Sequence, residues 1–370
     1  MVLLTLGLMD DDAAFQKALK WVEGQIARVE RGPRFGDDGA MRFAAMDAQE
    51  AAEAVLAKYG SRPAIHRMLG RIYHALGEYA EASAAFELGG QPAQANRSRE
   101  FGQVKSLFEA NHPKRVVASM ARIGEGGKVR WVIAHGDRHS DTDDIITPHV
   151  NVRVTIRESG ANVFTSANLK RPEWDESEFN EANLYVRDLN GDGRSEVVFI
   201  GVFYGASWTP SVLNVLSQSG AKWQTSRTIA THDPLWIDDL DGNGTIEVGG
   251  VNVIGVTLSH AAQPRWLEIY DWAPASGLVR SDSKYRNRYR DLRKEIDELL
   301  KENKHDWELL AYRGRIARIF GNRSEAANWE GRAQAALAAE RRRDFELPAS
   351  LGVYIRKVVR QDEVGDSPRL

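Results

Sequence analysis

The chain has 370 residues, with 49 basic against 52 acidic side chains and a net charge of −3. At roughly 100–200 residues per domain this length makes two or three folding units, and 42% apolar with 27% charged residues excludes a globally disordered chain. The near-neutral charge leaves no footprint for nucleic acid or an anionic membrane, no apolar run reaches the roughly 18 residues of a membrane span, and zero Cys removes disulfides, thiol catalysis and zinc–thiolate sites while leaving the redox compartment open.

Val2 to Met9 is a short apolar run followed by Asp10, Asp11 and Asp12. It lacks the basic start of a signal peptide, and reads either as the remnant of an export signal that begins upstream or as the first residues of a helix. From Ala13 to about Asn111 the pattern is helical. Phe15, Leu19, Val22, Ile26 and Val29 recur at spacings of four and three, and Ala48, Ala51, Ala52, Val55 and Tyr59 repeat that logic up to a stop at Gly60-Ser61. The Gly- and Pro-containing stretch 31–36 between them is a loop. A later helix carries Phe101, Val104, Leu107 and Phe108 and ends before His112-Pro113.

Within this region, Leu69-Gly70, Tyr73, Gly77-Glu78-Tyr79, Ala82 and Phe86 stand at the spacing of a tetratricopeptide repeat. Small residues let two antiparallel helices approach, and large ones fill the seam between them. The stretch 63–95 resembles one copy of that family, with Gly89 in place of the usual later Ala. A weaker copy spans 307–338, where Gly314, Gly321, Ala326 and Ala333 are in register but Arg313, Ala317 and Glu330 replace large apolar residues. The resemblance implies a concave surface for peptides or partner proteins. With so few copies, the other reading is a pair of hairpins that simply pack on their neighbours.

From about Arg115 to Ser281 the period becomes two. Val150, Val152 and Val154 alternate with polar residues, and the stretches 212–216 and 266–270 also read as strands between Gly, Asn, Asp and Pro clusters. About a dozen short strands fit here on that spacing rule. From Ser283 the helical period returns, with Tyr285, Tyr289, Leu292, Ile296 and Leu299 on one stripe, and two more helices follow to about Arg343.

The sharpest motif lies among the strands. Asp188-Leu-Asn190-Gly-Asp192-Gly193-Arg194-Ser-Glu196 recurs 51 residues later, from Asp188 to Asp239, as Asp239-Leu-Asp241-Gly-Asn243-Gly244-Thr245-Ile-Glu247. Oxygen side chains occupy positions 1, 3, 5 and 9, and Gly occupies position 6. A hard cation such as calcium takes six to eight oxygens, which a chain supplies when alternate residues point inward and a Gly permits the sharp turn. The carbonyl of Arg194 or Thr245 at position 7 completes the wrap. Magnesium, with its tighter octahedron and retained waters, suits the pattern less. The other reading is an Asx-rich β-turn that needs no ion.

Position 12 is Phe199 or Gly250 rather than Glu, so these are not helix–loop–helix calcium sites. A nine-residue loop between two strands resembles the FG-GAP and VCBS-type repeats of integrin-like β-propellers, in both loops and in the 201–208 stretch. That resemblance implies metal-stabilised β blades and a protein that holds partners. The β region is long enough for about three blades of roughly 40–50 residues, against the four to eight of a closed propeller, so an incomplete or sandwich-like stack is the alternative.

A third cluster, His135-Gly136-Asp137-Arg138-His139-Ser140-Asp141 with His149, reads as a polar connection between strands. Its alternative is a further metal site, the basis of a metal-dependent hydrolase. Trp174, Trp208, Trp223, Trp236, Trp266 and Trp272 crowd the β region. They serve as core, or as stacking surfaces for a glycan if exposed. No nucleophile motif, phosphate-cradling Gly loop or zinc-protease helix motif is present.

The fold expected is α+β and multidomain. Residues 1–112 are helical with the hairpin at 63–95, and 115–282 form a propeller-like or sandwich-like β-domain with the two calcium-type loops. Residues 283–345 are helical again and 346–370 are a polar tail, frayed at its end. The function expected is a calcium-binding, non-enzymatic interaction or scaffold module with a protein partner. Extracellular calcium modules work at Kd of roughly 10⁻⁴–10⁻³ M, and loops of that weak sort favour the periplasm or beyond over the cytoplasm.

Overall fold

The computed structural model describes residues 11–34, 41–125, 128–137, 149–169, 178–204, 210–219, 222–226, 228–232, 235–255, 258, 262–273 and 276–343. Helices stand at both ends of the described chain and antiparallel strands lie between them, so the α+β expectation holds at that level. The strands form three sheets, and the described residues form no closed barrel or propeller. The apolar run at Val2–Met9 and the polar tail lie outside the described residues, as does part of the 201–208 stretch.

The chain packs as two compact units. The first comprises residues 1–169, 177–186 and 197–201. It opens with helices α1 (Asp11–Arg31) and α2 (Met41–Tyr59), then α3 (Pro63–Leu76), α4 (Tyr79–Leu88) and α5 (Pro92–Asn111). Phe15, Leu19, Val22 and Ile26 of α1 meet Ala48, Ala52 and Val55 of α2 and Ile65, Leu69 and Ile72 of α3 in one buried cluster. These are the residues that recur at helical spacing in the sequence. Gly77 ends α3 at φ +80°, a left-handed conformation that Gly adopts without a Cβ penalty. Gly70 sits against the Phe86 ring so closely that an added Cβ would lie 2.6 Å from it, which lets α3 and α4 pack at short range.

Strands β1 (Arg115–Glu125), β2 (Lys128–Asp137), β3 (His149–Glu158) and β4 (Ala161–Thr165) pair in that order, with β5 (Glu178–Phe179) also on β3. The β3–β4 connection is Ser159-Gly160, both at positive φ (51° and 83°), as a two-residue hairpin turn requires. Phe101 and Phe108 of α5 pack on Val117, Met120 and Ile133 of β1 and β2. Strands β6 (Glu181–Arg187) and β7 (Glu196–Val202) belong mostly to this unit, and every residue of β7 is buried.

The second unit comprises residues 170–176, 187–196 and 202–370. Strand β8 (Ser211–Ser219) pairs with β9 (Lys222–Thr225) and β10 (Ile229–Thr231). A meander follows, β11 (Trp236–Asp238), β12 (Glu247–Val253), β13 (Arg265–Ala273) and β14 (Gly277–Arg280). Helices α6 (Tyr289–Glu302), α7 (Trp307–Ile319) and α8 (Arg323–Arg343) close the described chain. Their core is built on the fully buried Trp266, whose ring lies 5.1 Å from Tyr289 and 4.7 Å from Tyr312. Buried Asp282 bonds Arg280 at 2.8 Å and Arg315 at 2.7 Å, tying the end of the meander to α7. Arg313 stands in the weaker repeat where a large apolar residue is expected. It is buried and paired with Asp297 and, at 2.7 Å, with Glu325.

Candidate metal centres

Both acidic loops lie in the second unit and occupy equivalent places. Asp188 follows β6 directly and Glu196 is the first residue of β7, while Asp239 follows β11 and Glu247 opens β12. Each strand–loop–strand unit therefore runs from position 1 to position 9 without a spare residue.

The bonds from backbone amides to side chains are the same in each. The Asp188 carboxylate accepts from the amides of Gly191 (2.8 Å), Asp192 (3.2 Å) and Gly193 (2.8 Å). The Asp239 carboxylate accepts from Gly242 (2.8 Å), Asn243 (3.1 Å) and Gly244 (2.9 Å). Position 3, Asn190 or Asp241, accepts from the amide of position 5 at 2.9 or 3.3 Å. Position 5, Asp192 or Asn243, accepts from the amide of Arg194 or Thr245 at 2.8 or 2.7 Å. Glu196 and Glu247 reach back to the amides of Leu189 (3.0 Å) and Leu240 (2.8 Å). Glycines at positions 4 and 6 take positive φ in both loops, 73° and 83° in the first, 72° and 87° in the second. This repeated geometry explains why Gly stands at both places, since a side chain there would be strained.

The donor set fits a cation. Asp239, Asp241 and Glu247 each offer an oxygen within 4.8 Å of the others. Oxygens on a sphere of 2.3–2.6 Å radius lie at most about 5 Å apart, the span of a calcium shell. A carboxylate has about four lone-pair sites, and three amides occupy those of Asp188 and of Asp239, leaving one on each for an ion.

The tips of the loops are exposed but their ninth residues are not: Glu196 and Glu247 are buried. Burial, followed by the Asp192 and Asp188 carboxylates, pushes the Glu196 carboxyl above its ordinary range against the Leu189 hydrogen bond. Burial also pushes Glu247 up, opposed by the Leu240 amide. A cation would relieve both.

The loops differ in one respect that the motif does not announce. The Lys284 ammonium lies 3.0 Å from Asp241, 3.5 Å from Asp271 and 3.7 Å from Glu247. The Tyr285 hydroxyl stands 3.5 Å from Asp241 and 3.4 Å from Asp271. Burial alone would raise the Asp241 carboxyl, but Lys284, joined by the Asn243 amide and the Tyr285 hydroxyl, holds that group below its usual value. In the sequence Tyr285 falls on the helical stripe, whereas α6 begins at Tyr289 and leaves Tyr285 free to reach the loop.

No family model, no curated protein and no solved structure matches this chain.

The histidine cluster takes a different form from the expected connection. His135 and Asp137 lie in β2 rather than in a loop. His135 is 5% exposed, its Nε2 bonds Thr155 Oγ1 at 2.9 Å, and its ring packs 4.8 Å from Phe108. Burial, then the nearby Arg115 guanidinium, pulls its pKa down to about 4. It behaves as a neutral core histidine. His139, Asp141 and the His149 side chain lie outside the described residues. Trp236, Trp266 and Trp272 are buried and are not available for glycan stacking, Trp223 is half-buried, and Trp174 and Trp208 are outside the described residues.

Proposed function

We propose that the chain is a calcium-binding, non-enzymatic interaction module in which metal holds the β repeats together. The observation that carries this is the recurrence of one hydrogen-bond pattern and one pair of positive-φ glycines in two loops between strands. Asx turns arise singly for many reasons. Two nine-residue copies, each ending in a buried Glu and the second bringing the Asp239, Asp241 and Glu247 oxygens within 4.8 Å of one another, match what an oxygen-seeking cation needs. Asp188, Asn190, Asp192 and Glu196 are the side-chain donors of the first site and Asp239, Asp241, Asn243 and Glu247 those of the second. The carbonyls of Arg194 and Thr245 serve at position 7.

On this reading the loops belong to FG-GAP or VCBS-type repeats of propeller ancestry, and the 63–95 hairpin to a tetratricopeptide-like segment that presents a surface to a protein. Calcium is structural, with no coordination position left for a substrate. Extracellular calcium modules work at Kd of roughly 10⁻⁴–10⁻³ M, and if these loops are of that weak kind the reading favours the periplasm or the cell exterior over the cytoplasm.

The test is thermal melting of protein stripped with chelator, with and without millimolar calcium. A ligand bound only by the folded state stabilises by RT ln(1 + [L]/Kd), about 2.7 kcal/mol per site at a hundredfold excess. Calcium is expected to raise the melting temperature of wild type, and Asp188→Ala with Asp239→Ala to abolish the rise. A wild-type melting curve indifferent to calcium would overturn the reading.

A further inference from the structure

The first unit contains a cavity of about 560 Å³ that none of the metal chemistry uses. Helices α1 to α5 wall one side, and β1 and β6 wall the other, through Ala118, Ser119 and Met120 and through the 181–185 segment. Both are end strands of their sheets, so each has a main-chain edge that no further strand pairs among the described residues, the Val117 amide of β1 donating instead to Glu109 at 3.0 Å. Such an edge is a template for another strand.

The charges of the lining are unevenly satisfied. Glu30 is taken by Arg71 through two bonds of 2.8 and 2.6 Å. Glu181, buried on β6, accepts from the Arg42 amide at the start of α2 (3.0 Å) and from Asn183 (2.9 Å). His74 is held neutral, burial and then Arg97 lowering its pKa to about 4. The Arg42 and Arg97 guanidinium groups, by contrast, line the cavity without an ion pair among the described residues, Arg97 lying 5.8 Å over the Phe101 ring. Two acids that are already engaged, and two arginines without an ion pair, of which Arg42 feels the Glu78 carboxylate only at longer range, favour anions in the cavity. Its wall also carries apolar surface from Met41, Phe86 and Met120.

We propose that this groove binds an extended acidic peptide segment of a protein partner, which adds as a strand to β1 or β6 and places carboxylates on Arg42 and Arg97. The volume suits a ligand pocket of ordinary size. A strand of about four residues spans roughly 13 Å at 3.3 Å per residue. Main-chain pairing supplies affinity and the alternate side chains supply selection, and Arg matches a carboxylate through two parallel bonds. The inference rests on the interaction-module reading for its partner class, but it uses residues of the first unit only and none of the calcium loops.

The experiment is fluorescence anisotropy of the whole protein with a labelled octapeptide of alternating valine and aspartate. The controls are the valine–lysine octapeptide and a valine–aspartate octapeptide N-methylated at alternate amides. Tight saturable binding of the acidic peptide is expected, with a loss of at least tenfold for the lysine peptide and for the N-methylated one. The Arg42→Glu/Arg97→Glu variant should also lose at least tenfold. Both side chains reach solvent and neither has an ion pair, so the variant should keep the wild-type circular dichroism. If that variant does unfold, Arg97→Gln alone should still weaken binding severalfold. Equal binding of all three peptides, retention by the charge variants, or no binding at millimolar peptide would overturn the proposal. Such a failure would leave the calcium-dependent melting untouched, and a failure of calcium to stabilise would leave this binding curve untouched.

Discussion

The backbone amide of Ile246 donates to the carbonyl of Leu189 across 2.9 Å. Leu189 in turn gives its own amide to Glu196 at 3.0 Å, so the eighth residue of the second loop is fixed to the second residue of the first, one bond from a buried site acid. The two loops are therefore one hydrogen-bonded structure. Changes in groups that share such a network do not add, and couplings of roughly 0.5–3 kcal/mol are usual. Asp188→Ala is expected to weaken calcium binding at the second loop as well as at the first. A double-mutant cycle with Asp239→Ala, read as calcium-dependent melting, checks it. Strictly additive losses would show the loops to be independent.

Lys284 makes the two sites unequal. Its ammonium rests on Asp241, Glu247 and Asp271, so calcium at the second loop must displace a cation already present. The first loop should bind first and the second more weakly. Replacing Lys284 by Met removes the competitor, and the second site should tighten about tenfold, roughly 1.4 kcal/mol. The side chain of Lys284 is 40% exposed, and pairs so open to solvent contribute little to folding. Without calcium, Lys284→Met should cost no more than about 1 kcal/mol. Titration calorimetry of stripped wild type and variant resolves both steps, and identical second affinities would refute the competition.

What the sequence disclosed follows from the range of the forces involved. Helix α1 was legible because Phe15, Leu19, Val22 and Ile26 meet the core at a fixed angular period. The acidic loops were legible because their bonding is local, each donor and acceptor lying within a few residues. Lys284 was not, because 43 positions separate it from Asp241 and only the meander's return brings them together. His135 misled for the same reason. Its neighbours Gly136 and Asp137 suggest a turn, while Thr155 and Phe108, far off in the chain, make its surroundings those of a core strand. The division into two units was equally hidden, since residues 187–196 leave one unit for the other within a single strand–loop–strand stretch.

Two glycines that look alike in the sequence should respond differently to a methyl group. At Gly249 an added Cβ would lie 2.1 Å from the Glu268 carbonyl oxygen and 2.4 Å from the Trp236 ring. Glu268 belongs to the paired strand β13, so the backbone cannot give way without breaking the ladder. At Gly70 the obstacle is the Phe86 ring at 2.6 Å, a side chain that can be made smaller. Overpacking typically costs 1–3 kcal/mol and sometimes more. Gly249→Ala is expected at or above the top of that range with no simple rescue, whereas Gly70→Ala should be partly restored by Phe86→Leu. Urea unfolding of the four variants tests this, and a Phe86→Leu background that worsens Gly70→Ala would contradict it.

Glu308 gives the molecule a pH signature of its own. It stands in the first turn of α7, accepts the Gly255 amide at 2.8 Å, and is pushed up to about 7 by burial, with Asp306 adding to the rise and the Gly255 bond opposing it. The unfolded chain titrates this group near its ordinary value of 4.5. Between those two values the folded state holds a proton that the unfolded state has released, so stability falls as pH rises from about 4.5 to about 7 and is level above. At about 1.4 kcal/mol per pH unit the whole effect is at most about 3.5 kcal/mol. Glu308→Gln keeps an acceptor for Gly255 and removes the charge. The variant should match wild type near pH 4.5 and exceed it progressively up to pH 7, with a constant gap beyond. Other titrating groups, such as His74 and His135 with values lowered to about 4, cancel in that difference. Urea midpoints at half-unit intervals from pH 4.5 to 8 measure the gap, and one that does not change with pH would show that Glu308 ionises alike in both states.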